Sequence, residues 1–140
     1  IDAAAHRGAL AVQGKTVAVL AGGIDQPYPK AHDSLFAAIA QTGTLLSEFP
    51  PQTPPLRHRF LVRNRMIAAL GQVTVVVEAR HRSGAIATAS HAVAIGRDVA
   101  AVPGAITSAA STGCHALIRD GAILVTSASE IMELLATHAT

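Results

Sequence analysis

Four arginines and one phenylalanine fall within nine residues of this chain, from Arg57 to Arg65. No acidic residue lies between Glu48 and Glu78, so the local sequence does not neutralise this charge. Arginine suits phosphate because its guanidinium group is planar and weakly hydrated. The phenylalanine, Phe60, offers a face on which a nucleobase can stack. The run therefore predicts a polyanion site, and single-stranded nucleic acid is the more specific form of that prediction.

An ordinary solvated basic helix face is the alternative interpretation of the same run. The apolar spacing predicts a helix over 63–70, so Arg59, Arg63 and Arg65 would gather near its N-terminus. The helix dipole disfavours cations there. A bound phosphate would relieve the repulsion and would use the free backbone N–H groups at that end. We therefore favour an anion contact.

Composition limits the class of protein. The 140 residues, 50% hydrophobic and 14% charged, predict a single globular domain spanning 1–140. The net charge is only +2, but six of the eleven Lys and Arg residues lie between Arg57 and Arg82, as expected of a directed binding surface. A single cysteine, Cys114, excludes an internal disulfide and fits the cytoplasm. No apolar run approaches the roughly 20 residues of a membrane span. The histidines and carboxylates show no metal-binding or catalytic spacing, so we expect neither a metal or cofactor nor an enzyme.

Short β-branched runs alternate with alanine-rich helical patterns along the chain. The predicted strands are 16–20, 44–46, 73–77, 98–102 and 122–125. The predicted helices are 2–13, 32–41, 63–70, 85–95, 114–119 and 128–136. Continuous apolar strands separated by helices are typical of a parallel sheet covered on both faces. The predicted fold class is therefore α/β, a three-layer Rossmann-like sheet.

Ligands of such folds bind beyond the carboxyl ends of the strands. Three segments that follow predicted strands are expected at that edge: 21–23, 78–84 and 103–104. Gly22 and Gly23 suit either a tight turn or a close backbone approach to a ligand. Ser83 and Gly84 precede a predicted helix, so their small side chains would expose N–H groups to an anion. Lys30, taken alone, is typical of an ordinary surface lysine.

Several motifs follow one another in an order and spacing that resembles a known family. They are Gly23-Ile24-Asp25, Tyr28-Pro29, Leu46-Ser47-Glu48, Phe60-x-x-Arg63-Asn64-Arg65, Val77-Glu78-Ala79, Ser83-Gly84, Val102-Pro103-Gly104 and Gly113-Cys114. The resemblance is to the DprA family, also called Smf, of bacterial DNA-processing proteins, and it covers nearly the whole chain. It implies a non-enzymatic, cytoplasmic recombination mediator of natural transformation. Such a protein binds single-stranded DNA, loads the RecA recombinase onto it and forms a homodimer.

The same resemblance assigns roles to residues of this chain. The implied DNA pocket consists of Lys30, Arg57 and Phe60, with a wall formed by Arg63, Asn64 and Arg65 and with Gly22, Gly23, Ser83 and Gly84 as neighbours. The implied dimer and RecA surface contains Ile118, Leu124, Val93 and Arg119. A family loop of the form Ser-Gly-x-Ala, which carries a DNA-contacting arginine, and the first two strands would precede Ile1. We therefore expect an N-terminally truncated domain that also lacks a C-terminal winged helix.

The main alternative is a nucleotide-hydrolysing Rossmann enzyme of the phosphoribohydrolase, or lysine decarboxylase-like, type. Those enzymes carry a catalytic glutamate three residues after a threonine of the corresponding helix, at the position that His91 occupies here. The loss of that carboxylate argues against hydrolysis. A plain structural or dimerisation domain is the third interpretation, and it predicts no salt-dependent DNA binding.

Overall fold

A computed structural model describes residues 1–137 of the chain. It divides into two compact units, of which the first is Ile1–Arg63 and the second begins at Asn64. Each unit has a parallel sheet of its own and a separate apolar core. These parallel sheets with their packed helices confirm the predicted α/β Rossmann-like class. The strands form two ladders, whereas a single sheet was predicted.

The first unit contains two strands. Its elements are α1 (Asp2–Ala11), β1 (Val17–Val19), a 3-10 helix (Lys30–His32), α2 (Asp33–Thr42) and β2 (Thr44–Leu46), followed by the first half of α3 (Arg57–Leu70). Strands β1 and β2 pair in parallel with Ala18 opposite Leu45, and the ladder continues where the Leu20 amide donates to the Leu46 carbonyl at 2.8 Å. The core joins β1 to α2 through Ala18, Leu20, Leu35 and Ile39.

The second unit contains three strands. Its elements after α3 are β3 (Val73–Val76), α4 (Gly84–Ala94), β4 (Asp98–Ala101), a 3-10 helix (Ala109–Ser111), α5 (Thr112–Arg119), β5 (Ile123–Leu124) and α6 (Ala128–Thr137). All three strands are parallel, in the order β3-β4-β5. The core is built largely from fully buried alanines, Ala68, Ala89, Ala92 and Ala101, around Val76 and Cys114. Small side chains let helices pack closely on the sheet.

Helix α3 differs most from the sequence-based expectation. It begins at Arg57, not at Arg63, because the chain becomes helical two residues after Pro55, the last proline of segment 50–55. The Arg59 amide already donates to the Leu56 carbonyl at 2.9 Å. The first turn therefore holds Arg57 and Arg59 and no acidic residue. The other element boundaries lie within about two residues of those predicted, which is the usual scatter at helix and strand ends.

Within residues 1–137, no helix combines the length and apolar character that a bilayer-spanning segment requires.

Candidate nucleic-acid interface

Phe60 lies at the centre of a cluster of side chains in the first unit. The Tyr28 ring meets it edge-on, with centroids 5.8 Å apart and planes inclined by 68°. The Arg63 guanidinium lies over the Phe60 ring, 5.4 Å from its centroid. Phe60 and Arg63 are one turn apart on α3, where residues at i and i+3 share a face. We call Tyr28, Phe60 and Arg63 the aromatic cluster.

Arg63 connects this cluster to the sheet. Its Nη1 donates to the carbonyl of Val19, the last residue of β1, at 2.6 Å. The side chain is half-buried, and burial lowers the pKa of its guanidinium, with a smaller opposing effect from Asp2. The aromatic cluster is therefore fixed at the carboxyl end of a parallel strand, the edge at which α/β folds bind ligands.

Arg59 also binds within its own unit. Its Nη1 donates to the Pro54 carbonyl, and its guanidinium lies over the Phe49 ring at 5.7 Å. The guanidinium groups of Arg59 and Arg63 thus bind other parts of the protein, and we call these two residues the inner pair. The charge of the inner pair helps to hold the site together.

Arg57 and Lys30 behave differently, and we call them the outer pair. Both side chains are exposed, and within residues 1–137 neither makes a hydrogen bond or an ion pair. Arg57 lies three residues before Phe60 on α3, and Lys30 lies two residues after Tyr28 at the start of a 3-10 helix. Two open cations therefore accompany the two contacting rings.

Gly22 and Gly23 pack against the proline loop, residues 50–55. Both glycines are buried, and a Cβ atom would come within 2.7 Å of the Thr53 carbonyl oxygen at Gly22 and 2.6 Å of the Pro50 carbonyl oxygen at Gly23. The Gly23 amide donates to the Thr53 carbonyl at 2.8 Å. The structure gives the pair a packing role, because the loop backbone occupies the space of their side chains. Their contact with DNA stays a prediction.

Two side chains fasten the proline loop. The Asp25 carboxylate accepts the Gln52 amide at 2.8 Å, and this bond is the main reason that the pKa of Asp25 lies below its usual range. The Ser47 hydroxyl donates to the Gly22 carbonyl at 2.6 Å and accepts the Phe49 amide at 3.0 Å. The Gly-Ile-Asp and Leu-Ser-Glu motifs of the sequence therefore anchor the loop that leads into α3.

The second unit holds the other predicted site residues, of which Asn64 and Gly84 are joined by a hydrogen bond. Asn64 is buried, and its Nδ2 donates to the Gly84 carbonyl at 3.3 Å, which supports the first turn of α4. Arg65 and Gly84 are exposed. The Ser83 hydroxyl oxygen is buried, and within residues 1–137 it has no hydrogen-bond partner. Asn64 therefore serves the protein's own backbone, and the anion contacts of Arg65, Ser83 and Gly84 stay predictions.

The predicted partner surface also lies in the second unit. Val93 on α4 is 64% exposed and Leu124 on β5 is 50% exposed, and Arg119 is exposed as well. Ile118 differs from these, because it is half-buried and packs against the unit's own core. Most of the predicted surface is therefore accessible, and Ile118 contributes partly to internal packing.

Reasoning from the sequence missed Tyr28 as a site residue. It lies 57% exposed between Pro27 and Pro29, with a cis peptide bond to Pro29, and it touches Phe60. It is the chain's only tyrosine, in a protein that has three phenylalanines and no tryptophan. An exposed aromatic between two prolines was the available signal, since prolines hold the backbone on either side.

Comparison with known proteins extends these observations. A sequence profile described as DNA recombination-mediator protein A matches residues 1–136. A Mycobacterium tuberculosis protein that carries the DprA name is 59% identical over 135 residues, which are 96% of this chain and 35% of that protein. Protein Smf of Escherichia coli is 47% identical over 96% of this chain and 36% of its own length.

Two solved structures match the fold. The X-ray structure of DNA processing protein A from Streptococcus pneumoniae superposes with a TM-score of 0.89 at 45% identity, over 95% of this chain and 47% of that one. DNA processing protein A from Helicobacter pylori, whose structure describes a single-stranded DNA binding mode, gives a TM-score of 0.80 at 26% identity, over 88% of this chain and 57% of that one. The chain thus spans between about a third and a half of the curated relatives that it matches. On the match across 1–136 and these identities, the chain belongs to the DNA recombination-mediator protein A family.

Proposed function

We propose that this chain binds single-stranded DNA through the aromatic cluster and the outer pair. One observation carries the proposal: two contacting rings, Tyr28 and Phe60, lie at the carboxyl end of β1, and the exposed cations that adjoin them along the chain, Arg57 and Lys30, make no hydrogen bond or ion pair within residues 1–137. Nucleic acid supplies both complements of this arrangement, since its phosphates are anionic and its bases are flat and apolar on their faces.

Single-stranded DNA fits better than duplex DNA. Stacking on a side chain requires an unpaired base, because a duplex holds its base faces against one another. The site offers ring surface and point charges rather than a row of side chains that could read base edges in a groove. The expected binding is therefore sensitive to salt and tolerant of sequence. The single-stranded DNA binding described for the Helicobacter pylori relative supports the same choice.

The test is fluorescence anisotropy of a labelled oligo-dT titrated at several salt concentrations. Arg57→Gln should lower the slope of log affinity against log salt by about 0.7, the value expected for one lost phosphate contact with a single strand. Phe60→Ala should weaken binding by about 1–3 kcal/mol, because it removes one of the two contacting rings that form the stacking surface, with little change in slope. Arg97→Gln is the matched control, since Arg97 is exposed and lies outside both predicted sites.

The same experiment can reject the proposal. A double variant Arg57→Gln with Phe60→Ala that binds oligo-dT as tightly as the unaltered protein would exclude this pocket. Binding that does not depend on salt would exclude phosphate contact altogether.

We further propose that the protein loads RecA onto the bound strand. A homodimer would perform this loading in the cytoplasm, where a bacterial recombinase acts. The description of the family as a recombination mediator supports this step. The surface for these partners would include Val93, Arg119 and Leu124, which are accessible, together with Ile118. The test is the rate at which RecA nucleates on oligo-dT with and without the protein. An unchanged rate at saturating protein would contradict RecA loading.

We also propose that the chain is not an enzyme. His91 lies on α4 where the alternative, a phosphoribohydrolase, would carry its carboxylate. Within residues 1–137, no group of three or more His, Cys, Asp or Glu side chains is placed to hold a metal ion. Release of free base from a nucleoside monophosphate by the purified protein would contradict this proposal.

A further inference from the structure

We infer that Tyr28 is the ring on which a DNA base stacks, and that Phe60 is the ring that supports it. This inference rests on the proposed function and names the base-contacting residue of that site. It reverses the role suggested by the sequence, in which Phe60 was the stacking ring.

One face of the Phe60 ring is already covered by a side chain of the protein. A base stacks on a ring face, and the Arg63 guanidinium already lies over a face of Phe60 at 5.4 Å. Arg63 is itself held by its hydrogen bond to the Val19 carbonyl, and it is half-buried. Exposing that face would therefore cost a buried hydrogen bond as well as the cation–π contact. Tyr28 occupies a further part of the Phe60 surface.

The Tyr28 ring, in contrast, keeps a face that Phe60 does not cover. The two rings are inclined by 68°, which is an edge-to-face contact and not a parallel stack. In either sense of that contact, at least one full face of Tyr28 stays clear of Phe60. Tyr28 is 57% exposed, and within residues 1–137 its hydroxyl makes no hydrogen bond and its ring has no other aromatic or cationic neighbour. Its open face is therefore available to a ligand.

The backbone that carries Tyr28 is pre-organised by the residues on either side of it. Pro27 and Pro29 flank Tyr28, so the backbone that carries the ring has little freedom to lose when a base stacks. Contact with Phe60 limits the side-chain rotation as well. Lys30 follows two residues later along the chain and is exposed, so its ammonium group is open to a phosphate that adjoins a stacked base.

The sequence supplies a direct test, because Tyr28 is the only tyrosine and the chain has no tryptophan. Intrinsic tyrosine fluorescence therefore reports on Tyr28 alone. We expect saturating oligo-dT to quench this fluorescence, with the same midpoint as the anisotropy titration. Free tyrosine amide at matched DNA concentrations corrects for absorption by the DNA. Arg57→Gln should shift the midpoint to higher DNA concentration and keep the full amplitude of quenching. Binding seen by anisotropy without any quenching would overturn the inference.

Variants of Tyr28 and Phe60 give a second test. Their affinity for oligo-dT tests the inference, and their affinity for an abasic oligomer tests the phosphate contacts of the proposed function separately. Tyr28→Ala and Tyr28→Leu should each weaken oligo-dT binding by about tenfold with an unchanged salt slope, whereas Tyr28→Phe should bind within about threefold of the unaltered protein. An abasic oligomer of the same length, which keeps the phosphates, should bind all four proteins equally. Phe60→Leu, which keeps an apolar support, should lose less affinity than Tyr28→Leu.

The two failures can be told apart. If Phe60→Leu loses more affinity than Tyr28→Leu, Phe60 is the stacking ring, and the inference fails while the proposed function stands. If the unaltered protein binds neither the oligo-dT nor the abasic oligomer, the proposed function fails and the inference fails with it.

Discussion

The inner and outer pairs of basic residues all belong to the first unit but differ in the contacts that they make. Arg59 and Arg63 donate to backbone carbonyls and cover aromatic rings, so their charge is used inside the protein. Arg57 and Lys30 are exposed and have no such partner within residues 1–137. The difference shows that charge density alone does not identify which basic side chains are open to a ligand.

This division has a physical reason. A guanidinium that is already bound to a carbonyl and packed on a ring gains little by exchanging those contacts for a phosphate. An exposed cation gives up only water and mobile ions when it meets a phosphate. Substitutions of the inner pair should therefore change stability first, and substitutions of the outer pair should change only binding.

The largest expected effect comes from Arg63→Ala. The substitution leaves the Val19 carbonyl without its donor in a half-buried position and removes the cation over Phe60. We expect the free energy of unfolding to fall by about 1–3 kcal/mol, the usual cost of an unsatisfied buried polar group. Urea unfolding followed by circular dichroism measures it, with Arg97→Ala as a control that should stay within about 0.5 kcal/mol. An unchanged urea midpoint would show that Arg63 is not a structural residue.

A smaller effect is expected from Arg59→Gln, compared with Arg57→Gln two residues away. Arg59→Gln loses the bond to the Pro54 carbonyl and the contact with Phe49, so it should cost about 1 kcal/mol of stability and leave the salt slope of DNA binding nearly unchanged. Arg57→Gln should lower the slope by about 0.7 and leave stability unchanged. Identical behaviour of the two variants in both assays would remove the distinction between the pairs.

Much of the fold could be predicted because it depends on local patterns. Apolar runs such as 73–77 identify buried strands, and glycines and prolines mark the turns between them. The start of α3 was predicted six residues too late, because the apolar spacing identified the helix only from Arg63 onward. Whether the chain becomes helical soon after a proline depends on the contacts that the following segment makes in the fold. Local residue composition does not contain that information. The division of the strands into two ladders, β1-β2 and β3-β4-β5, depends on distant pairing and was likewise not visible.

The candidate site was predicted less completely, because its members are assigned by contacts between distant residues. Arg57 and Arg63 look alike in sequence, and their roles are separated by contacts such as the bond from Arg63 to Val19, 44 residues away. Tyr28 escaped notice because its partner ring, Phe60, lies on another element. For Gly23 the sequence left a tight turn and a ligand contact equally open, and only the structure shows that the backbone of the proline loop packs against it.

The smallest expected effect on stability comes from Asp25, whose exposed carboxylate binds the proline loop through the Gln52 amide. Because the Gln52 amide donates to the carboxylate, the pKa of Asp25 is lower in the folded chain than in the unfolded one. The ionised group therefore stabilises the folded state above the unfolded value of about 3.9, and this contribution is lost as the pH falls through the folded value. Asp25→Asn should lower the Tm near neutral pH and should narrow the difference between that Tm and the Tm at about pH 3. Glu133→Gln, at an exposed position on α6, serves as the control. If Asp25→Asn loses as much Tm on acidification as the unaltered protein does, the loop is held by Ser47 and Arg59 without help from this carboxylate.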